Sequence, residues 1–200
     1  VSARRSDKRY FMDSPAINME MGGYILERLP DLRVDVKNPD VVLSVEIRDM
    51  AYLYTHPIMA VGGTNEDVVQ VAYGYGLFTG GAGMHGGSHK VGCLTLPMSS
   101  GNTDRQLTFM TDLEATILCC TPSYASYLGE TIREMGIDPA KDLKLKAGCF
   151  GAEPWTEEMR RNIEASLGIK AYDIYGLTET SGPGVAFECE DQSGMHINED

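Results

Sequence analysis

The chain has 200 residues, of which 42% are hydrophobic and 23% are charged, a composition typical of a globular protein with one sizeable core. No apolar stretch approaches the ~20 residues that cross a bilayer and no signal peptide is visible, so we expect no membrane partner. Residues 1–63 hold 8 basic and 9 acidic side chains, whereas residues 64–200 hold 9 and 20, and so acidic a segment argues against broad nucleic-acid binding there.

Residues 1–63 predict a small α+β fragment. A hydroxyl followed by proline at 14–15 favours a helix start, and Pro30 ends the helical pattern. Residues 41–47 and 51–55 are rich in β-branched and aromatic side chains, which predicts a β-hairpin after the helix.

From residue 64 onward, strand and helix patterns alternate. The predicted strands are 68–73, 93–98, 115–120, 143–150 and 169–175. The predicted helices are 78–91, 103–113, 122–135 and 156–167. Alternation of this kind predicts βαβ units, so we expect residues 64–200 to form an α/β domain with a mostly parallel sheet and flanking helices.

Five cysteines occur without the regular spacing of a disulfide framework. Most of them lie in or beside apolar strand patterns, where a free thiol behaves as a small hydrophobic group. This pattern favours a reducing, cytoplasmic compartment.

Two loops follow predicted strands at the same edge of the sheet, at residues 151–155 and 173–179. The carboxyl ends of parallel strands meet at one edge, so the two loops can share a crevice. Small residues at 151 and 152 leave room for a flat ring, Tyr175 offers a stacking face, and Glu179 is a hard oxygen ligand suited to Mg²⁺. These features predict a nucleotide site.

Five collinear blocks resemble the phenylacetate–CoA ligase branch of the adenylate-forming acyl-CoA ligases. The blocks are residues 67–81, 97–103, 119–124, 151–155 and 173–179. The resemblance implies a two-step reaction in which ATP and an aryl carboxylic acid give an acyl-adenylate, and the CoA thiol then displaces AMP.

The same resemblance implies roles for individual residues. Tyr175 would stack on the adenine, and Asp173 would contact its edge. The adenine site would be lined by Gly151, Ala152, Glu153, Pro154 and Gly176. Thr178 would contact the α-phosphate and Glu179 would bind Mg²⁺. The aryl pocket would be bordered by Tyr73, Tyr75, Phe78 and Gly81, although the two tyrosines could instead simply pack against helices.

Residues 1–63 resemble the later half of a THUMP domain as found in tRNA 4-thiouridine synthases. The resemblance is carried by residues 2–8, 14–18, 22–23, 34–40 and 45–48. It implies tRNA binding through a basic cluster formed by Arg4, Arg5, Lys8 and Arg9. The charge of these residues alone favours a strand end exposed to solvent over a contact with the RNA backbone.

Two pairs of metal-ligating residue types stand out. Cys189 and His196 offer two of the four ligands that structural zinc needs, so spacing alone favours an incidental turn, whereas the ligase resemblance favours half of a zinc site. His85 and His89 lie four residues apart with no evident third ligand, which favours a surface or packing role over a metal site.

Two parts of the ligase pattern have no match in this sequence: the lysine-containing phosphate loop and the C-terminal lid. The chain looks cut at both ends, and we expect it to retain part of a nucleotide crevice without completing the ligase reaction. Three interpretations stay open at this point: a ligase fragment, a THUMP-type RNA-binding module with an acidic appendix, and an artefactual join near residues 62–65.

Overall fold

The computed structural model describes residues 1–5, 11–47, 50–76, 78–177 and 182–198. The chain forms two compact units, Val1–Asp49 and Met50–Asp200. The sequence pattern placed the border at 63/64, whereas residues 50–63 belong to the second unit in the structure.

The first unit contains β1 (Ser2–Arg5), α1 (Ser14–Arg28) and β2 (Ser44–Ile47). The Asp13 carboxylate accepts a hydrogen bond of 2.9 Å from the Ala16 amide at the start of α1, and proline occupies the first turn. β1 and β2 pair in parallel, with Ser2 opposite Ser44. The predicted hairpin is therefore wrong, because β2 pairs with the N-terminal strand.

The second half of that predicted hairpin is a helix, α2 (Met50–Ala60). Tyr54 and Ile58, one helical turn apart, are both completely buried. Packing of this apolar face overrides the strand preference of the aromatic residues. Pro57 lies inside the helix, which weakens the helical signal in the sequence.

The second unit continues with alternating strands and helices. Its further strands are β3 (Val68–Val71), β4 (Leu94–Leu96), β5 (Ile117–Cys120), β6 (Ala147–Gly151), β7 (Lys170–Leu177), β8 (Gly182–Glu188) and β9 (Met195–Ile197). Its further helices are α3 (Thr79–Val91), α4 (Thr103–Asp112), α5 (Pro122–Glu134), α6 (Pro139–Asp142) and α7 (Glu157–Leu167). The sheet has the order β4-β3-β5-β6-β7-β8-β9, which is parallel from β4 to β7 and antiparallel beyond. The expected mostly parallel sheet is confirmed; β8, β9 and the short α6 were not predicted.

Helices cover both faces of this sheet. On one face, Tyr54 and Ile58 of α2 and Met84 of α3 pack against β3, β5 and β6. On the other face, α4, α5 and α7 contribute a second apolar layer, which includes Met110 and Ile163.

No helix among the described residues is both long and apolar enough to span a bilayer. All five cysteines are free thiols.

Two glycines of α3 allow α2 to approach closely. A Cβ on Gly83 would collide with the Tyr54 ring, and a Cβ on Gly87 would collide with the Tyr54 backbone. The glycine-rich helix predicted at 78–91 is therefore confirmed, and its glycines form the contact surface for α2.

Candidate functional site

An open cleft of about 580 Å³ lies where the sheet reverses its order. After β3 the chain adds β4 on one side of that strand and then β5 on the other side. The two crossovers diverge from this point, and open α/β sheets bind ligands at such a switch point. The cleft is lined by Ala72, Tyr73, Gly74, Phe78, Ser100, Thr121, Ser123, Tyr124, Tyr127 and Ala152.

Aromatic side chains form two walls of the cleft. Tyr73 follows β3 and is buried, its hydroxyl donates to the Cys149 carbonyl at 3.4 Å, and its ring centroid lies 5.8 Å from that of Phe78. Tyr124 and Tyr127 lie one turn apart on α5 with ring centroids 6.2 Å apart. Burial raises the pKa of Tyr73 well above its ordinary value, so its hydroxyl is neutral at physiological pH. The cleft is therefore suited to an aromatic or other flat apolar group.

The turn after β6 brings one predicted adenine-site residue into the cleft. Ala152 has a φ of 73°, a left-handed conformation that turns the chain sharply at the end of the strand. The Glu153 carboxylate accepts a 2.6 Å hydrogen bond from the Ser123 amide in the first turn of α5. Gly151 is buried within β6, and a Cβ there would collide with the Ile174 carbonyl oxygen. Its small size thus serves strand packing.

Pro154 is exposed in the turn after β6, and the predicted adenine-site residues Asp173, Tyr175 and Gly176 lie on β7; all four are outside the lining of the cleft. Tyr175 is 48% exposed, and Gly176 is half-buried. Burial raises the pKa of the half-buried Asp173 above its ordinary value; the Glu188 carboxylate adds to this, whereas Trp155 and Arg160 oppose it. Thr178 and Glu179 lie outside the described residues.

A buried ion pair fixes the strand that carries Asp173. The Arg160 guanidinium of α7 donates to both carboxylate oxygens of Glu188, at 2.8 and 3.0 Å, and also to the Ala171 carbonyl. Glu188 in turn accepts a 2.7 Å hydrogen bond from the Asp173 amide. Sequence reasoning missed this pair because its members are 28 residues apart and β8 was not predicted.

Buried amides hold the loop after β4 against the cleft. The Gln106 side chain donates to the carbonyls of Ser99 and Gly101, at 2.6 and 3.3 Å, and accepts a 2.7 Å bond from Gln70 of β3. Ser100, between the two carbonyls, lines the cleft. Neither glutamine was singled out from the sequence, and a polar residue in the middle of a buried strand was the signal that could have found Gln70.

Two predicted aryl-pocket residues lie beside the cleft instead of lining it. The Tyr75 hydroxyl is 3.2 Å from His85 Nδ1. Gly81, in the first turn of α3, is buried against the Gly74 carbonyl, where a Cβ would collide. Tyr75 therefore contacts α3, and the absence of a side chain at Gly81 lets α3 approach the Gly74 backbone.

Cys189 and His196 have separate partners in the structure. The Cys189 thiol lies 3.9 Å from an Asp191 carboxylate oxygen, and the His196 ring packs on Phe187 with centroids 6.0 Å apart. No group of three His, Cys, Asp or Glu side chains among the described residues is placed to hold one metal ion. Within the part that the structure describes, the two residues thus do not complete a zinc site.

The basic cluster falls partly within the described chain. Arg4 and Arg5 belong to β1, in register with Glu46 and Ile47 of β2. Lys8 and Arg9 lie outside the described residues.

Two family models match the chain. The THUMP domain model matches residues 1–56, and the AMP-binding enzyme model matches residues 50–197. The chain is 51% identical over 156 residues to a phenylacetate-coenzyme A ligase of Pseudomonas putida, an alignment that covers 78% of this chain and 35% of the relative. It is 52% identical over 63 residues to a probable tRNA sulfurtransferase of Acetivibrio thermocellus, with 32% of this chain and 16% of the relative covered.

A solved structure shares the fold of the second unit. A 2-hydroxyisobutyryl-CoA ligase, crystallised in complex with 2-HIB-AMP and CoA, superposes with a TM-score of 0.69 at 25% identity and covers 74% of this chain and 36% of its own. The chain thus spans about a third of the length of the ligases that it matches. Both resemblances inferred from the motifs are confirmed. Because the match to the AMP-binding model extends over residues 50–197, the chain belongs to the AMP-binding enzyme family.

Proposed function

We propose that this chain supplies part of the site for the ATP-dependent activation of an aryl carboxylic acid to its CoA thioester, without completing that reaction by itself, and that the cleft at the switch point holds the aryl part of the acyl-adenylate. The observation that carries the proposal is the aromatic lining of that cleft, formed by Tyr73, Phe78, Tyr124 and Tyr127. Membership of the AMP-binding family and 51% identity to a phenylacetate-coenzyme A ligase support the reaction class.

The proposed ligand extends from the aromatic walls toward the carboxyl ends of β6 and β7. Phe78 and Tyr124 would contact the aryl ring. The adenine would lie over the turn at Ala152, with Gly151, Glu153 and Pro154 around it, Tyr175 stacked on its face and Asp173 at its amino edge. A carboxylate accepts a hydrogen bond from an exocyclic amine best when ionised, so the raised pKa of Asp173 predicts that acid weakens adenine binding at a higher pH than it would with an ordinary aspartate.

Thr178 and Glu179 complete the proposed nucleotide contacts. Thr178 would donate to the α-phosphate, and Glu179 would hold Mg²⁺, an ion that neutralises charge during displacement at phosphorus. A zinc site at Cys189 and His196 would need two further ligands from outside the described residues.

The single tryptophan provides the test. Trp155 is half-buried three residues after Ala152, and its ring lies edge-on to Phe150 with centroids 5.9 Å apart. We would titrate the protein with AMP, with phenylacetate and with a non-hydrolysable phenylacetyl-adenylate analogue while recording Trp155 fluorescence. The analogue is expected to saturate and to bind more tightly than either fragment, because linking the two groups makes the second contact intramolecular.

A matched pair of variants locates the aryl group. Phe78 and Phe109 are each 40% exposed, but Phe78 lines the cleft, whereas Phe109 lies on α4 outside it. Phe78→Ala should weaken binding of the analogue about tenfold, or by about 1.4 kcal/mol, and should leave the affinity for AMP unchanged. Phe109→Ala should change neither affinity. Absence of saturable binding by all three ligands would refute the proposal.

A second candidate function is tRNA binding by the first unit. The THUMP match to residues 1–56 and the 52% identity to a probable tRNA sulfurtransferase favour it. We would measure tRNA binding by fluorescence anisotropy across a salt series. Affinity should fall steeply with salt, and Arg4→Ala with Arg5→Ala should reduce the slope of log K against log salt by about one to two. Binding that does not respond to salt would argue against this candidate.

A further inference from the structure

Two histidine rings lie side by side on α3. His85 and His89 are one helical turn apart, and their ring centroids are separated by 4.4 Å with 51° between the ring planes. Side chains at i and i+4 share one face of a helix, so both imidazoles are directed to the same region. His89 is exposed and His85 is half-buried, which leaves the pair accessible from solvent.

Tyr75 orients the inner ring of the pair. Its hydroxyl lies 3.2 Å from His85 Nδ1, and its ring is edge-on to the imidazole with centroids 6.0 Å apart. When Nδ1 carries the hydrogen and donates it to this hydroxyl oxygen, the Nε2 lone pair of His85 is available to a metal. Metal-bound histidines commonly have such an outer partner on their second nitrogen.

The backbone of α3 also suits a metal ion. Packing of Gly83 and Gly87 against Tyr54 holds the helix in place, so the two rings start from a fixed backbone. Fixed ligands lose less conformational entropy when they bind.

We propose that His85 and His89 bind one divalent transition-metal ion, such as Zn²⁺ or Ni²⁺, through one ring nitrogen each, with Tyr75 as the positioning partner of His85. Imidazole suits these metals, whereas Mg²⁺ and Ca²⁺ prefer oxygen ligands. Among the described residues no third His, Cys, Asp or Glu joins the pair. Water would fill coordination positions that the two histidines leave open.

The site would couple to the cleft through the loop after β3. Tyr75 lies between Gly74 and Phe78, both of which line the cleft. A metal on the histidine pair would hold Tyr75 through His85 and so restrain this loop. The inference does not rest on the proposed ligase function, because metal binding is measured without any nucleotide or acid.

The test is calorimetric titration of the chelator-treated full chain with ZnCl₂ and with NiCl₂. The wild type should show a site that His89→Ala abolishes and that Tyr75→Phe weakens about 10–100-fold. His89 is exposed, so its truncation leaves the core intact. The matched controls are His196→Ala and Cys189→Ser, which remove the other candidate ligands and should leave this site unchanged.

Four outcomes would overturn the proposal or a part of it. Absence of binding by the wild type would leave the histidines as packing residues only. Unchanged metal affinity in His89→Ala, or loss of metal binding in His196→Ala, would show that the metal binds at another place. Equal metal affinity of Tyr75→Phe and wild type would show that the tyrosine does not contribute to the site. A rise in the thermal unfolding temperature with NiCl₂ that disappears in His89→Ala would support it independently.

Discussion

Arg160 and Glu188 link three elements through one solvent-shielded contact. Their side chains are 9% and 7% exposed, and together they hold α7, β7 and β8 in register. Because the Asp173 amide also donates to Glu188, the pair fixes the backbone of the strand on which the proposed adenine contacts lie. The chemistry proposed for Asp173 and Tyr175 thus depends on two residues that touch no ligand.

Removal of one charge from this pair should be costly. We expect Glu188→Gln to lower the free energy of unfolding by about 3–5 kcal/mol, because the Arg160 charge would lose its buried counter-charge and keep only the exposed carboxylate of Glu157. The control is Glu157→Gln, since Glu157 is 70% exposed and its 3.0 Å contact with Arg160 should contribute less than about 1 kcal/mol. Urea unfolding of the three proteins measures the difference, and equal losses for the two variants would contradict this account.

Sequence reasoning located some site residues and not others for a physical reason. Tyr73 and Ala152 come just after β3 and β6, so the parallel pattern brings them to one edge of the sheet, whereas the pocket role of Tyr73 and Phe78 came from the ligase resemblance. Tyr124 and Tyr127 lie on a helix, where the direction of each ring depends on how the helix packs. The proximity of Tyr75 to His85 likewise depends on the path of a loop, which periodicity does not specify.

At the scale of elements, the contact between α2 and α3 is set by residues that lack side chains. Gly83 and Gly87 of α3 form a recess that the Tyr54 ring and backbone of α2 occupy. Glycine is unfavourable in a helix by about 1 kcal/mol relative to alanine. The close packing of a buried aromatic ring offsets that cost.

Addition of one methyl group at this contact should therefore destabilise the fold. Gly83→Ala is expected to lower the free energy of unfolding by about 1–3 kcal/mol through overpacking, although alanine favours the helix. In a Tyr54→Ala background the same change should be neutral or stabilising, because the collision is gone. A double-mutant cycle in guanidinium chloride measures the coupling, and a stabilising Gly83→Ala in the wild type would count against the packing argument.

The elements differ in how far the sequence predicts them. The parallel strands and their helices follow from local periodicity and capping: Thr121 and Thr156, for example, each accept a hydrogen bond from an amide in the first turn of the helix they precede. α2 was predicted as a strand because its aromatic residues and Pro57 conceal a helical face. The β1–β2 pairing joins residues about 40 apart, and no local pattern indicates such a contact.

At the scale of the whole chain, the two family matches overlap just after the sequence border between the two units. The THUMP match ends at residue 56 and the AMP-binding match begins at residue 50, within and at the start of α2. In the structure α2 belongs to the second unit, where Tyr54 and Ile58 are part of the core. The helix is thus an integral layer of the ligase-like fold.

Truncation distinguishes the structural border from the border in the sequence pattern. Residues 50–200 should unfold cooperatively by calorimetry, because the second unit keeps its core. Residues 64–200 should lose that cooperative transition, since Tyr54, Ile58 and Val61 each bury apolar surface worth about 1.5–3 kcal/mol. Equal unfolding temperatures for the two fragments would show that α2 is dispensable.

The reversal of strand order at β3 also bears on how the cleft is assembled over time. β3 pairs with β5, and Val69 lies opposite Ile117, so this contact closes a loop of nearly fifty residues. The lining of the cleft comes from residues 72–74 with 78, from residue 100, from residues 121–127 and from residue 152, and these four segments can meet only after all of them have left the ribosome. Non-local pairing of this kind slows folding. Until β5 and β6 have been synthesised, the nascent chain leaves the ring of Tyr73 exposed, whereas the folded chain buries it in a cluster that includes Cys119 and Cys149 of those strands.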